Sequence, residues 1–156
     1  MVWCFYEGTG MKNILVSACL LGGSCRYDGR SKPNEEVLRL LEDENVCLIP
    51  ICPEQMGGLS TPRFPSERQG DRVINSEGED VTVQYRKGAE EALKLAELYH
   101  CRLVILKERS PSCGSGAVYD GTFSGTLTDG DGVTAELLKM NRITVLGESE
   151  LQRMKR

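Results

Sequence analysis

Asn13-Ile14-Leu15-Val16-Ser17-Ala18 passes from a run of small and branched apolar residues straight into Cys19-Leu20-Leu21-Gly22. The apolar run has no polar alternation, as expected of a short strand buried on both faces. The same passage occurs twice more. Val46-Cys47-Leu48-Ile49-Pro50-Ile51 leads into Cys52-Pro53-Glu54, and Arg102-Leu103-Val104-Ile105-Leu106-Lys107 leads into a loop that carries Cys113-Gly114. Helical stretches separate these runs. Pro33 precedes Asn34 to Leu41, whose first turn is acidic and complements the helix dipole; Val81 to His100 carries apolar residues at helical spacing; Gly132 to Asn141 is a third helix, followed by a fourth strand from Arg142 to Leu146. Apolar strands alternating with helices imply right-handed crossovers. The expected fold is a single-domain, three-layer Rossmann-like α/β fold with a mainly parallel sheet of about four strands. In such sheets ligands bind beyond the carboxyl ends of the strands, where all three cysteine-bearing passages lead.

Between these elements the sequence reads as loop. Cys52 to about Gly70 is a long Gly/Pro-containing connection, Arg109 to Gly116 is rich in Gly and Ser, and Ala117 to Phe123 suggests a hairpin turning at Asp120-Gly121. With 156 residues the chain suits one hydrophobic core. Residues 1–10 are read as an N-terminal extension outside the fold, because Met11 stands just before the first strand; residues 11–156 are read as the single domain. The opening residues lack the layout of a secretory signal, and no apolar run approaches the ~18–20 residues that cross a bilayer, so a cytoplasmic protein without a membrane partner is expected.

Nineteen basic against twenty-three acidic residues argues against a broad polyanion-binding surface, and 6% aromatic content argues against a stacking platform for single-stranded nucleic acid. The chain has seven cysteines and one histidine, His100. A His-rich zinc site or a Ser-His-Asp triad is thereby nearly excluded, and metal chemistry must run on thiolate, which favours zinc, cuprous copper or iron–sulfur clusters. In a reducing compartment such cysteines are metal ligands or reactive thiols more often than disulfides. No Gly-x-Gly-x-x-Gly fingerprint or phosphate loop is present.

Free cysteine is often only a small core residue, and that reading suits Cys47, inside a strand, and Cys101, at a helix end. Cys19, Cys52 and Cys113 differ: each follows a strand at the ligand edge, and each has glycines close behind it that let backbone approach a bulky group. Cys25 is open between fourth ligand, catalytic thiol and structural residue. The spacings match neither a ferredoxin run nor a paired zinc ribbon, so spacing alone does not name the metal. A zinc site that staples the loops, and a sulfur carrier working through a persulfide on Cys25 or Cys113, are the alternative readings.

The motifs carry a resemblance. Cys19-Leu20-Leu21-Gly22 with Cys25-Arg26-Tyr27-Asp28-Gly29, Cys52-Pro53-Glu54 with Gly57-Gly58-Leu59 and Pro62-Arg63, and Ser110-Pro111-Ser112-Cys113-Gly114 together resemble the thiouracil desulfidase (TudS-like) family, from about Met11 to about Gly147. The resemblance implies a [4Fe-4S] cluster held by Cys19, Cys52 and Cys113, with one iron lacking a protein ligand. That iron would bind the sulfur of a thiolated pyrimidine such as thiouracil, and water would replace the sulfur. It implies a small-molecule thiolated nucleobase as substrate and the cluster-assembly machinery as partner. Larger relatives act on thiolated tRNA through a second domain for which this chain has no room.

The chemistry needs a base, and Glu54 is the carboxylate best placed by sequence. Ser112, beside Cys113, is a candidate hydrogen-bond donor to substrate or cluster. Arg26, Arg63, Lys107 and Arg109 lie in the same loops and are candidates for binding substrate oxygens or offsetting cluster charge.

Overall fold

The computed structural model describes residues 10–155 in the order β1 (Lys12–Ser17), α1 (Glu35–Arg39), β2 (Val46–Ile51), α2 (Pro53–Met56), β3 (Ser66–Gln69), β4 (Arg72–Asn75), α3 (Thr82–Leu98), β5 (Leu103–Leu106), β6 (Ala117–Tyr119), β7 (Leu127–Asp129), α4 (Val133–Met140) and β8 (Thr144–Gly147). Single turns of 3₁₀ helix follow β1 and α1, and a longer 3₁₀ segment, Glu148–Lys155, follows β8. Apart from Gly10, the expected N-terminal extension lies outside the described residues.

Four strands pair in parallel in the order β2-β1-β5-β8, which is the expected parallel α/β sheet. Successive side chains of a strand point to opposite faces, so a strand covered on both sides must be apolar throughout. Ile14, Leu15 and Val16 are each at most 1% exposed. Leu15 packs with Ala92 and Ala96 of α3 and Ala135 and Leu138 of α4, while Ile14 and Val16 pack with Val37 of α1 and with Leu151 on the opposite face. Asn34 starts α1 as its N-cap, accepting from the Val37 N–H at 3.1 Å. Cys47 is buried in β2 as expected, but it is disulfide-bonded rather than a free core thiol, so disulfide chemistry is not absent from the chain.

Two regions differ from the sequence reading. The stretch from Cys52 to Gly70 holds α2 and strand β3, which pairs antiparallel with β4 through a tight turn at Gly70-Asp71. The two buried residues of β3, Ser66 and Glu67, lie on opposite faces and are both polar, so the strand lacks the apolar alternation that announces one. The second hairpin closes further out than Asp120-Gly121: Tyr119 pairs with Leu127, and residues 120–126 form its loop. Asp120 accepts from the Thr122 N–H and hydroxyl, which bends the chain locally without reversing it.

Candidate metal centre

Each cysteine of the ligand edge is placed by its own local device. Cys19 lies in the 3₁₀ turn after β1. Its carbonyl accepts from the Lys32 N–H at 2.9 Å, and the turn closes through Gly22 at φ +102°, where a side chain is strained. Cys52 is the N-cap residue of α2, with Pro53 at the first helical position, where the missing N–H costs nothing. Cys113 sits on a loop braced from within and from behind. The Ser110 hydroxyl accepts from the Ser112 and Cys113 N–H groups, and the first N–H groups of α4 donate to the carbonyls of Pro111 and Ser112. The Ser17 hydroxyl accepts from the Lys107 N–H at 2.9 Å and ties the ends of β1 and β5 together.

Cys19, Cys52 and Cys113 line one cavity of about 500 Å³ at the carboxyl end of the sheet, and Cys25 lines it with them. All four thiols are free. Cys25 stands within hydrogen-bonding reach of both the Cys19 and Cys52 sulfurs. The Cys52 thiol faces the Cys25 carbonyl at 3.7 Å. Contact with Cys19 raises the Cys25 pKa; contact with Cys25, then burial, pushes Cys52 far above the usual thiol range. Burial pushes Cys113 up to about 12, with the charge of Glu54 and the neighbouring Cys52 adding to it. Crowded buried thiols of this kind are held neutral until a cation replaces their protons. Among the described residues no three His, Cys, Asp or Glu side chains converge closely enough for a single metal ion. The donor set at this edge is all thiolate, the soft ligand type that iron–sulfur clusters take.

Beside the thiols, Glu54 and Arg63 form an ion pair whose side chains are only 12% and 8% exposed. Arg63 Nε donates to Glu54 Oε2 at 2.6 Å, and Nη2 meets the same oxygen. The other Arg63 donors reach the carbonyls of Cys25 and Ser60 and the Thr61 hydroxyl. The buried Tyr85 hydroxyl stands within hydrogen-bonding reach of Glu54 and Ser66; burial, then the Glu54 charge, holds its phenol well above the usual range. Glu54 is brought here by close packing of α2 on α3, because a Cβ on Gly88 would lie 1.9 Å from the Pro53 carbonyl oxygen.

Residues 14–150 match the family model described as 2-thiouracil desulfurase. The chain belongs to the 2-thiouracil desulfurase family. It is 44% identical over 148 residues to the uncharacterized protein YbbK of Bacillus subtilis (strain 168), an alignment covering 88% of this chain and 97% of YbbK. A solved structure of TudS, described as a [4Fe-4S]-dependent thiouracil desulfidase, is 44% identical and superposes with a TM-score of 0.86 over 92% of this chain and 95% of TudS.

In this family member the remaining expected site residues are dispersed around the cavity. Lys107 lines it, but its ammonium is bonded to Glu148 at 2.8 Å and to the Glu108 carbonyl. Arg26 and Arg109 line it without an ion pair among the described residues, Arg26 lying 5.9 Å from the centroid of the Tyr27 ring. Arg63 reaches the cavity with all five N–H donors engaged by protein acceptors. Ser112 is 1% exposed and bonds the Thr134 hydroxyl at 2.9 Å, behind the cavity rather than on its wall. Sequence reasoning missed Ser17, Ser110 and Tyr85, which do line it. The two serines stand at a strand end and in the Cys113 loop, a position that could have flagged them; nothing in the sequence singles out Tyr85 among the helical core positions of α3. Among the described residues, no helix is long and apolar enough to cross a membrane.

Proposed function

We propose that the chain is a [4Fe-4S]-dependent desulfidase that exchanges the sulfur of a thiouracil-like base for oxygen by hydrolysis, with Cys19, Cys52 and Cys113 as the cluster ligands. The observation that carries this reading is the meeting of those three cysteines, from three separate strand ends, around one cavity. Family membership and the likeness to TudS support it. Held by Cys19, Cys52 and Cys113, the cluster would supply a thiophilic Lewis acid for the C–S bond.

The chain's own residues supply the rest. Glu54 is the base that takes a proton from the attacking water. Arg63 holds its Oε2 and so fixes the orientation of the carboxylate beside Cys52. The oxygen of water ends on the ring carbon, and the sulfur leaves as sulfide. Arg63 is a positioning residue rather than a substrate contact. Of the cations expected from sequence, Arg26 and Arg109 are the ones placed to meet substrate oxygens, while Lys107 contributes charge from its pair with Glu148. Ser112 lies beside the Cys113 thiol and steadies it from behind. Cys25 is a spare thiol between two ligands and is not required to hold the cluster. Loading depends on cluster-assembly machinery.

The test is anaerobic reconstitution followed by incubation with 2-thiouracil. Release of sulfide and uracil in equal amounts is expected, and Glu54→Gln should keep its iron and lose most turnover. A reconstituted protein that holds a cluster yet releases no sulfide from any thiolated pyrimidine contradicts the reading.

A further inference from the structure

Among the described residues, the aromatic side chains of Tyr27, Tyr85, Tyr119 and Phe123 line the cavity that holds the cysteines, in a sequence with only 6% aromatic content. Three carry hydroxyls. Phe123 has no polar handle, belongs to none of the buried apolar clusters among the described residues, and is 40% exposed. Its backbone is also in the left-handed region, at φ +57°, which is uncommon and costly for a bulky residue. Strain of this kind persists only where the surroundings fix it, and it clusters at functional sites.

The surroundings here are specific. Glu67, a carboxylate only 8% exposed, accepts from the Gly121 N–H at 3.0 Å and the Phe123 N–H at 3.1 Å through one oxygen, Oε1. Gln69 donates to the Gly121 carbonyl at 2.9 Å. At Gly121, φ is +91°, and a Cβ would lie 2.8 Å from Gln69 Cγ and 2.9 Å from the Arg68 carbonyl oxygen, so the two hairpins dock with no room for a side chain. A buried acid and a close docking between hairpins thus hold one apolar ring at the cavity wall. Core packing explains none of this.

We propose that Phe123 is a substrate-recognition residue: its ring, set by Glu67, stacks on the flat face of a planar heteroaromatic thione. This rests on the desulfidase reading for the identity of the ligand. Stacking of a base on an aromatic side chain is sequence-tolerant and depends on the π face rather than on bulk. The residue therefore selects planar ring thiones over open-chain thioamides, and Glu67 acts as a positioning residue through it.

The test is calorimetric titration of uracil, which is not turned over, into cluster-loaded protein, alongside KM for 2-thiouracil. Phe123→Leu and Phe123→Ala should weaken uracil binding about tenfold and raise KM by a similar factor, with iron content unchanged, and Phe123→Tyr should restore wild-type affinity. Glu67→Leu should weaken binding in the wild-type background and have little effect once Phe123 is alanine. Phe64→Ala, at an exposed aromatic that does not line the cavity, is the control and should leave uracil affinity unchanged. Uracil affinity within twofold of wild type in both Phe123→Leu and Phe123→Ala overturns the proposal, as does a Glu67→Leu effect that persists undiminished without the ring. A wild type that binds uracil through Phe123 but releases no sulfide from thiouracil defeats the desulfidase reading and leaves the stacking role standing.

Discussion

Arg63 holds Glu54 by one oxygen: its Nε, at 2.6 Å, and its Nη2 both meet Oε2, inside a pair almost closed to solvent. The same guanidinium donates to the carbonyl of Cys25 at 2.9 Å, so one side chain links the loop after β1 to the helix after β2. Glu54 is thereby fixed beside Cys52 in one orientation, and the planar fork is what fixes it.

Replacing Arg63 by lysine keeps the charge and loses the fork. Arg63→Lys is expected to retain its iron and sulfide after reconstitution and to lose at least about tenfold in kcat with little change in KM, since the base is displaced but substrate contacts are not. Arg63→Ala is the harsher change. Leaving Glu54 buried without its partner is expected to cost ~3–5 kcal/mol of stability. Steady-state kinetics with metal analysis checks the first and urea unfolding the second; a lysine variant with wild-type kcat contradicts the positioning role.

Gly88 is where α3 yields to the Pro53 carbonyl. In Gly88→Ala the new methyl must push α2 away, because its Cβ would lie 1.9 Å from backbone oxygen rather than from a flexible side-chain tip. Overpacking typically costs ~1–3 kcal/mol, and the displaced segment carries Cys52 and Glu54. Lower stability with reduced turnover is expected. Wild-type values for both in urea unfolding and activity assays would mean that the close packing of α2 on α3 does not position the site.

Ser112 and Thr134 share a hydrogen bond at 2.9 Å with both residues at most 1% exposed. Ser112→Ala leaves a buried hydroxyl short of a partner and should cost ~1–3 kcal/mol. Adding Thr134→Val should cost less than the two single changes summed, with a coupling of about 1 kcal/mol in denaturant unfolding. Strict additivity would show that the two hydroxyls do not meet.

Asp80 stands just before α3 and is held down to about 2 by the Thr82 hydroxyl, then the Thr82 N–H and Arg72. A folded-state pKa below the unfolded value of about 3.9 contributes stability that is present above pH ~4 and is lost as the pH falls toward ~2. Asp80→Asn is expected to lower Tm at neutral pH and to flatten the acid side of the Tm profile. Parallel profiles for wild type and variant would contradict the assignment.

The parallel sheet was legible because its central strands, β1 and β5, are covered on both faces, and double burial forces an unbroken apolar run; β2, at the sheet edge, carries the same apolar composition although only Cys47 and Ile51 are buried. The placement of Cys19, Cys52 and Cys113 at one sheet edge followed from topology alone. Glu54 was legible by its nearness to Cys52. Arg63 was legible as a candidate cation but its partners were not: its sequence position marks a charge in a loop, and only the folded approach of Ser60, Thr61, Glu54 and the Cys25 carbonyl shows that every donor is taken. Strand β3 was hidden because its buried residues, Ser66 and Glu67, are polar and are stabilised by tertiary partners that no local pattern encodes. Ser112 shows the converse, since adjacency to Cys113 in sequence turns the serine toward Thr134 rather than toward the cavity. The gathering of Tyr27, Tyr85, Tyr119 and Phe123 at the cavity was not legible, because a whole-chain aromatic content carries no information about where rings meet.

The ligand assignment is tested most directly by anaerobic quantification of iron and acid-labile sulfide in reconstituted wild type and in four single alanine variants. One [4Fe-4S] cluster per chain is expected for wild type and for Cys25→Ala, and loss of most iron and sulfide for Cys19→Ala, Cys52→Ala and Cys113→Ala. Full cluster content in any of those three, or its loss in Cys25→Ala alone, would contradict the account.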